Sequence, residues 1–182
     1  MNYWSIRQAV KTLRSGGVIA YPTEAVFGLG CDPWDEAAVN RILDIKQRPW
    51  HKGLILIASD FNQLADFIEP LSPETLQQIE ATWPGPVTWL LPAKDTTPDY
   101  LTGEHATIAV RITAHPIAHE LCKAAGHALV STSANIAGMP PAKNHRQVRW
   151  QLPEVNAIVT GHCGEATQPS QIRDAQTGTI LR

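Results

Sequence analysis

The sequence predicts an α/β fold in which a mixed sheet is flanked by helices, and three observations predict it. Apolar runs of four or five residues, rich in Val, Ile and Leu, recur at 18–21, 54–58, 87–91 and 107–111, with the length and composition of buried strands. Between them lie segments whose apolar residues return every three or four positions behind recognisable caps, as in amphipathic helices. Strands and helices alternate without a clean βαβ repeat, which favours a mixed sheet over an all-parallel one. The 182 residues carry 43% hydrophobic and 18% charged side chains, ordinary values for a globular chain. No repeat, low-complexity tract or linker divides them, so one domain, residues 1–182, is expected.

In chain order, Ile6, Ala9, Val10 and Leu13 share one face of a first helix, which Gly16-Gly17 stops. Val18–Tyr21 is a strand ended by Pro22, which cannot donate to a sheet ladder. Asp35 caps a second helix carrying Ala38, Val39, Ile42, Leu43 and Ile45, and Pro49 ends it just after Arg48. Leu54–Ala58 is the next strand, followed by a helix from about Asp60. Ser72-Pro73 pairs a cap with proline at the first helical position, so another helix starts there. Val87–Leu91 and Thr107–Arg111 are strands, His115-Pro116 opens a helix running to Gly126, and Leu129-Val130 is a strand. Asn144 caps a helix through Trp150, and short strands near 157–159, 171–173 and 179–181 complete the chain.

Composition narrows the function classes. A net charge of −2 and a pI near 6.4 exclude a generally basic nucleic-acid coat and leave room for a local basic patch. Cys31, Cys122 and Cys163 are odd in number and widely spaced, which argues against a disulfide framework or structural zinc and for a reducing compartment. The N-terminus lacks the basic-then-apolar form of a signal peptide, and no apolar run approaches the roughly 20 residues that span a bilayer. A cytoplasmic protein without membrane contact is expected. The seven histidines show no ligand pattern, so no metal site is expected, and His115 and His119 read as ordinary helix-surface residues.

Several segments can carry chemistry. Lys46 and Arg48 stand at a helix C-terminus, where cations favour the negative end of the helix. Alternatively, the turn forced by Pro49 aims both into a cleft, where a point charge and a fork of donors suit neighbouring phosphates. Ser131-Thr132-Ser133-Ala134-Asn135 leaves a strand at its C-terminal end, where α/β sheets bind ligands; a polar turn with local side-chain bonds is the competing reading. Tyr21–Gly30 is a third strand exit, in which Gly28 and Gly30 permit close backbone approach and Thr23 and Glu24 bring polar groups. A P-loop motif is absent. Arg111 closes its strand, either as a solvated strand end or as a bidentate clamp on a carboxylate. Trp50, beside the basic run, is the tryptophan placed to stack on a base.

Taken in order, these segments resemble the YrdC/TsaC family, the threonylcarbamoyl-AMP synthases, in a short single-domain form. The resemblance rests on Tyr21-Pro22-Thr23-Glu24, Gly28-Leu29-Gly30, Lys46-Gln47-Arg48-Pro49, Leu54–Ile57, Trp83–Thr88, Ala109-Val110-Arg111, Ser131–Asn135 and Pro169–Ile172. It implies a twisted α/β sheet around a central positively charged cleft. It also implies a nucleotidyltransferase that converts L-threonine, bicarbonate and ATP, with Mg²⁺, into threonylcarbamoyl-AMP and pyrophosphate. Separate proteins would transfer the threonylcarbamoyl group to adenosine 37 of tRNAs reading codons that begin with A, and tRNA or double-stranded RNA contact is a further implied partner.

By the same resemblance Lys46, Arg48, Thr107, Ser133, Asn135 and Arg182 bind ATP, with Lys46 and Arg48 catalytic, and Thr23, Arg111, Ser131 and Ser170 hold threonine. Many relatives carry a histidine where this chain has Ile57, so any contact from that histidine is absent or replaced. The alternative is an RNA-binding maturation factor that uses the same basic cleft. A carbamoyl-handling domain of hydrogenase-maturation type is disfavoured by the short chain without zinc-finger or acylphosphatase-like segments.

Overall fold

A computed structural model describes residues 2–181. The chain runs α1 (Tyr3–Arg14), β1 (Ile19–Pro22), β2 (Phe27–Gly30), α2 (Glu36–Lys46), β3 (Ile55–Ala58), α3 (Pro73–Glu80) and β4 (Val87–Pro92). It continues through α4, a single turn at Asp99–Thr102, then β5 (Thr107–Ile112), α5 (Pro116–Ala125), β6 (Leu129–Ser133), α6 (His145–Gln151), β7 (Ala157–Ile158) and β8 (Gln171–Asp174). The expected caps are in place: Asp35 accepts from the Ala38 amide at 3.0 Å and Asn144 from the Gln147 amide at 3.0 Å, each satisfying a donor the helix leaves open.

Three sequence expectations change, the first being that Phe27–Gly30, expected within a strand-to-loop exit, is itself a strand, β2, paired antiparallel with β1. Instead of a helix from Asp60, a short 3₁₀ turn spans Phe61–Leu64, because the chain must swing back at once to bridge Ile68 to Ala93. The last expected strand reduces to a bridge between Ile180 and Arg173.

The strands form one eight-stranded sheet in the order β7-β1-β2-β6-β3-β5-β4-β8. The β1/β7, β3/β5 and β4/β8 pairs are parallel and the others antiparallel, so the sheet is mixed as expected. Alternation sends successive side chains to opposite faces. Leu56, Val110 and Val130 join Val39 and Ile42 of α2 in the larger core. Ile19, Ile57 and Leu129 on the other face pack under α1 and α5 against Ile6, Leu13 and Leu121.

Those two helices cover only part of their face. Further along the same strands it carries Ser131 and Ser133 on β6, Ile55 on β3, and Ala109 and Thr107 on β5, and there it is open.

β7 and β8 lie at opposite edges of the sheet, so residues 159–170 must cross it. Seven strand spacings amount to about 34 Å, and twelve residues reach at most about 40 Å, so this strap has little slack for a helix or hairpin. It is tied on its way by Val159 N to Ala20 O (2.8 Å), Gly164 N to Thr23 O (2.9 Å) and Ala166 N to Glu24 O (3.1 Å).

Candidate active site

The uncovered face and the strap enclose a cleft of about 880 Å³. Its floor has a readable grid. Ile57 pairs with both Arg111 and Leu129, and Ile55 pairs with Ala109 and Ser131; Thr107 and Ser133 lie one side-chain step further out. Thr107 and Arg111 are four residue steps apart along β5, about 13 Å in an extended strand. The cleft therefore has an inner end at Arg111, next to the α1/α5 core, and an outer end at Thr107 and Ser133. Arg48, Lys52, Arg111 and Lys143 line it, against Glu24 as the acid among the described lining residues.

At the outer end, helix α2 closes on Gln47 in the left-handed conformation (φ 51°), and this turn separates the directions of Lys46 and Arg48. Arg48 lines the cleft and donates through Nη2 to Gly53 O at 2.9 Å. Lys46 does not line the cleft. It is 3% exposed, and its ammonium donates to the carbonyls of Ser133 and Asn135, the latter at 2.9 Å, and to Asn135 Oδ1 at 3.4 Å. Burial first, and the nearby Arg48 charge second, push the Lys46 ammonium down to about 8. The turn that was expected to aim both cations into the cleft aims one of them there, and the other fastens the facing loop.

That loop is tightly bonded. Ser133 Oγ donates to Asn135 Oδ1 at 2.6 Å, and Asn135 Nδ2 donates to Ile136 O at 2.9 Å and Met139 O at 2.8 Å. Ser131–Asn135 is thus both a self-bonded turn and a wall of the cleft, since Ser131, Ser133 and Asn135 all line it.

At the inner end Arg111 Nη2 stands 3.2 Å from Glu24 Oε2. The other carboxylate oxygen accepts from Thr113 Oγ1 at 2.7 Å, and Thr113 Oγ1 in turn accepts from the His115 amide at 3.2 Å. Thr23 Oγ1 donates to Val26 O at 2.7 Å, and Ser170, carried by the strap, shares a hydrogen bond of 3.0 Å with Thr88. Thr23, Arg111, Ser131 and Ser170 line one cleft with Arg48, Thr107, Ser133 and Asn135. Arg182 lies outside the described residues.

Some readings need correction. His115 is buried: its Nδ1 accepts from the Ala118 amide as the cap of α5 and its Nε2 meets His162 O at 3.1 Å. Spacing alone could not show that the residue ahead of Pro116 turns its ring inward. Trp50 sits on a short 3₁₀ turn, 49% exposed, and does not itself line the cleft, although Arg48 and Lys52 on either side of it do. Ile57 is fully buried in the α1/α5 core, so the position at which the family resemblance raised a histidine contributes packing here, and Ile55 supplies the cleft surface of that strand.

Gly30 makes room for the ring of Tyr21, while a Cβ at Gly28 would meet the Thr23 methyl at 3.2 Å and that ring at an ordinary 3.5 Å. A Cβ at Gly30 would lie 2.9 Å from that ring and 2.5 Å from Val130 O. The close approach allowed by Gly30 is therefore made by a cross-strand aromatic ring. The sequence names Ser170 and the Thr23-Glu24 exit, but the course of the strap over the sheet and the pairing of Glu24 with Arg111 were missed, because nothing in a loop sequence reveals which strands flank it.

No three acidic, His or Cys side chains gather to hold a metal among the described residues. With one acid lining the cleft among the described residues, a magnesium ion there would take its oxygens from a bound ligand and water, as that small hard ion prefers, rather than from a protein cage.

Fold and site together define an α/β protein with an elongated cleft on a sheet face, lined by Arg48, Lys52, Arg111 and Lys143. A family model described as telomere recombination, covering Sua5, YciO and YrdC proteins, matches residues 11–182. A protein of Nitrosococcus oceani named threonylcarbamoyl-AMP synthase is 54% identical over 180 residues, 98% of this chain and 97% of that protein. P. abyssi Sua5, solved in complex with L-threonine, superposes with a TM-score of 0.93 at 33% identity over 100% of this chain, which spans 54% of that one. E. coli YciO superposes with a TM-score of 0.85 at 30% identity, over 97% of this chain and 87% of that one. The chain belongs to the Sua5/YciO/YrdC family.

Proposed function

We propose that this protein is a threonylcarbamoyl-AMP synthase, which joins L-threonine, bicarbonate and ATP and releases pyrophosphate. The observation that carries the reading is the two-ended cleft: a guanidinium at the inner end and a hydroxyl-rich, cation-flanked wall about 13 Å away at the outer end. Relatives about as long as this chain and about half identical to it carry that name.

In this arrangement Arg111 takes the amino-acid carboxylate, with Thr23, Ser131 and Ser170 around it. The nucleotide occupies the outer end against Arg48, Thr107, Ser133 and Asn135. The carbamate formed on threonine's nitrogen then meets the α-phosphorus between the two. The residues mainly position the reactants and offset charge, which suits a phosphoryl-group reaction with little covalent work for the protein. Lys46 contributes through the loop it fastens, and Arg48 faces the phosphates directly. Magnesium accompanies ATP and neutralises phosphate charge when bound. The product would supply tRNA-modifying transfer proteins in the cytoplasm.

Purified protein incubated with labelled threonine, bicarbonate and MgATP should yield a new adenylate, with pyrophosphate release dependent on threonine. Absence of that adenylate, alongside salt-sensitive retention of RNA, would transfer the cleft to a polyanion-binding role.

A further inference from the structure

The Glu24–Arg111 pair is built unlike a simple structural ion pair. The two groups approach to 3.2 Å, yet neither Glu24 Oε2 nor Arg111 Nε makes a hydrogen bond, although both atoms are shielded from solvent. Buried polar atoms left without hydrogen bonds are rare in folded proteins and call for an explanation. Both residues line the cleft at its inner end.

The backbone of this segment is also held with unusual care. Ala166 and Gly164 of the strap donate to the carbonyls of Glu24 and Thr23, and a Cβ at Gly164 would stand 2.8 Å from Glu24 O. Thr113 fixes one carboxylate oxygen, which leaves the other facing Arg111.

A guanidinium and a carboxylate side by side are the complement of a zwitterion. We propose that Glu24 is the specificity-determining residue for the amine of the amino-acid substrate. The pair seen here is its closed form. The incoming carboxylate takes the Arg111 guanidinium, and the ammonium takes the Glu24 oxygen that Arg111 releases. Each group exchanges one charged partner for another, so neither is left buried and unpaired, the condition under which buried charges become costly. This selects an α-amino acid over a hydroxy acid of the same shape, because only the amino acid returns a cation to Glu24. It rests on the threonine-binding reading given above.

The test compares two ligands on two proteins by calorimetry: L-threonine, and the 2-hydroxy acid in which a hydroxyl replaces threonine's amine at the same configuration. Glu24→Gln keeps an acceptor for Thr113 and removes the charge. Threonine binding should weaken at least about tenfold, as expected for losing a charge-assisted hydrogen bond, while the hydroxy acid should bind within about twofold of its wild-type affinity. Glu24→Asp keeps the charge but shortens its reach, and should weaken threonine selectively as well, so the proposal does not depend on one variant folding.

If Glu24→Gln weakens both ligands equally, Glu24 acts only by holding Arg111, and the proposal is overturned. If it weakens neither, Glu24 does not face the ligand, with the same consequence. Failure of the wild-type protein to bind threonine would instead overturn the assignment of the cleft, a result distinct from either variant outcome.

Discussion

Replacing Lys46 by Met tests whether this lysine serves the nucleotide directly or through the loop it fastens. Met keeps most of the side chain's volume and removes the ammonium. Two opposing effects set the result. Holding the ammonium charged in the fold costs about 3 kcal/mol, from the fall of its pKa from 10.5 to about 8 at about 1.36 kcal/mol per unit. Removing it takes the ammonium donor from the part-buried carbonyls of Ser133, which keeps the Asn135 amide, and Asn135, at about 1–3 kcal/mol each.

The effects nearly cancel, so urea unfolding at pH 7 should show a change of less than about 2 kcal/mol. Nucleotide affinity should fall sharply, because the wall formed by Ser133 and Asn135 loses its anchor. A pH arm sharpens the test. With the folded pKa depressed, the folded state sheds its proton near pH 8 and the unfolded state near 10.5, so stability should rise with pH across that window. Lys46→Met should lack that rise. Activity should run the other way, declining above pH 8 as the amine loses the proton that completes its bonds to the loop. A Lys46→Met protein that binds ATP normally would refute the loop-anchor argument, and a loss of stability far above 2 kcal/mol would refute the cancellation.

Three further outcomes follow from the same structure. Arg111→Met leaves the Glu24 carboxylate buried with Thr113 as its remaining partner, and should lower stability by about 3–5 kcal/mol in chemical denaturation, with loss of threonine binding. Gly164→Ala pushes a methyl group against the Glu24 backbone, so the KM for threonine should rise more than that for ATP in steady-state assays. Burial holds His115 below its ordinary range, so its share of stability is complete above pH 6.5 and is lost as pH falls from there through its folded value. Thermal melts of wild type should show that acid-side loss, and His115→Phe should flatten it.

Much of this molecule is legible in the chain because its signals are local. The spacing of Ile6, Ala9, Val10 and Leu13 marks the buried face of α1, and Asp35 and Asn144 mark helix starts, since capping and amphipathicity depend on neighbours a few residues away. The order of Thr23-Glu24, Lys46-Gln47-Arg48, Arg111 and Ser131–Asn135 points to one family and to one site, and the structure brings the described members of that set around a common cleft or its supporting loop.

Direction and partnership were decided only in three dimensions. Lys46 and Arg48 are two residues apart in sequence, yet a single left-handed Gln47 sends one inward to carbonyls and the other to the cleft. Glu24 meets Arg111 and Thr113, and His115 meets the carbonyl of His162, across separations of tens of residues that no local pattern encodes. The strap becomes a cleft wall only because β7 and β8 settle at opposite edges of one sheet. Residue type sets what a side chain can bond to, while the long-range pairing of strands sets what it finds there.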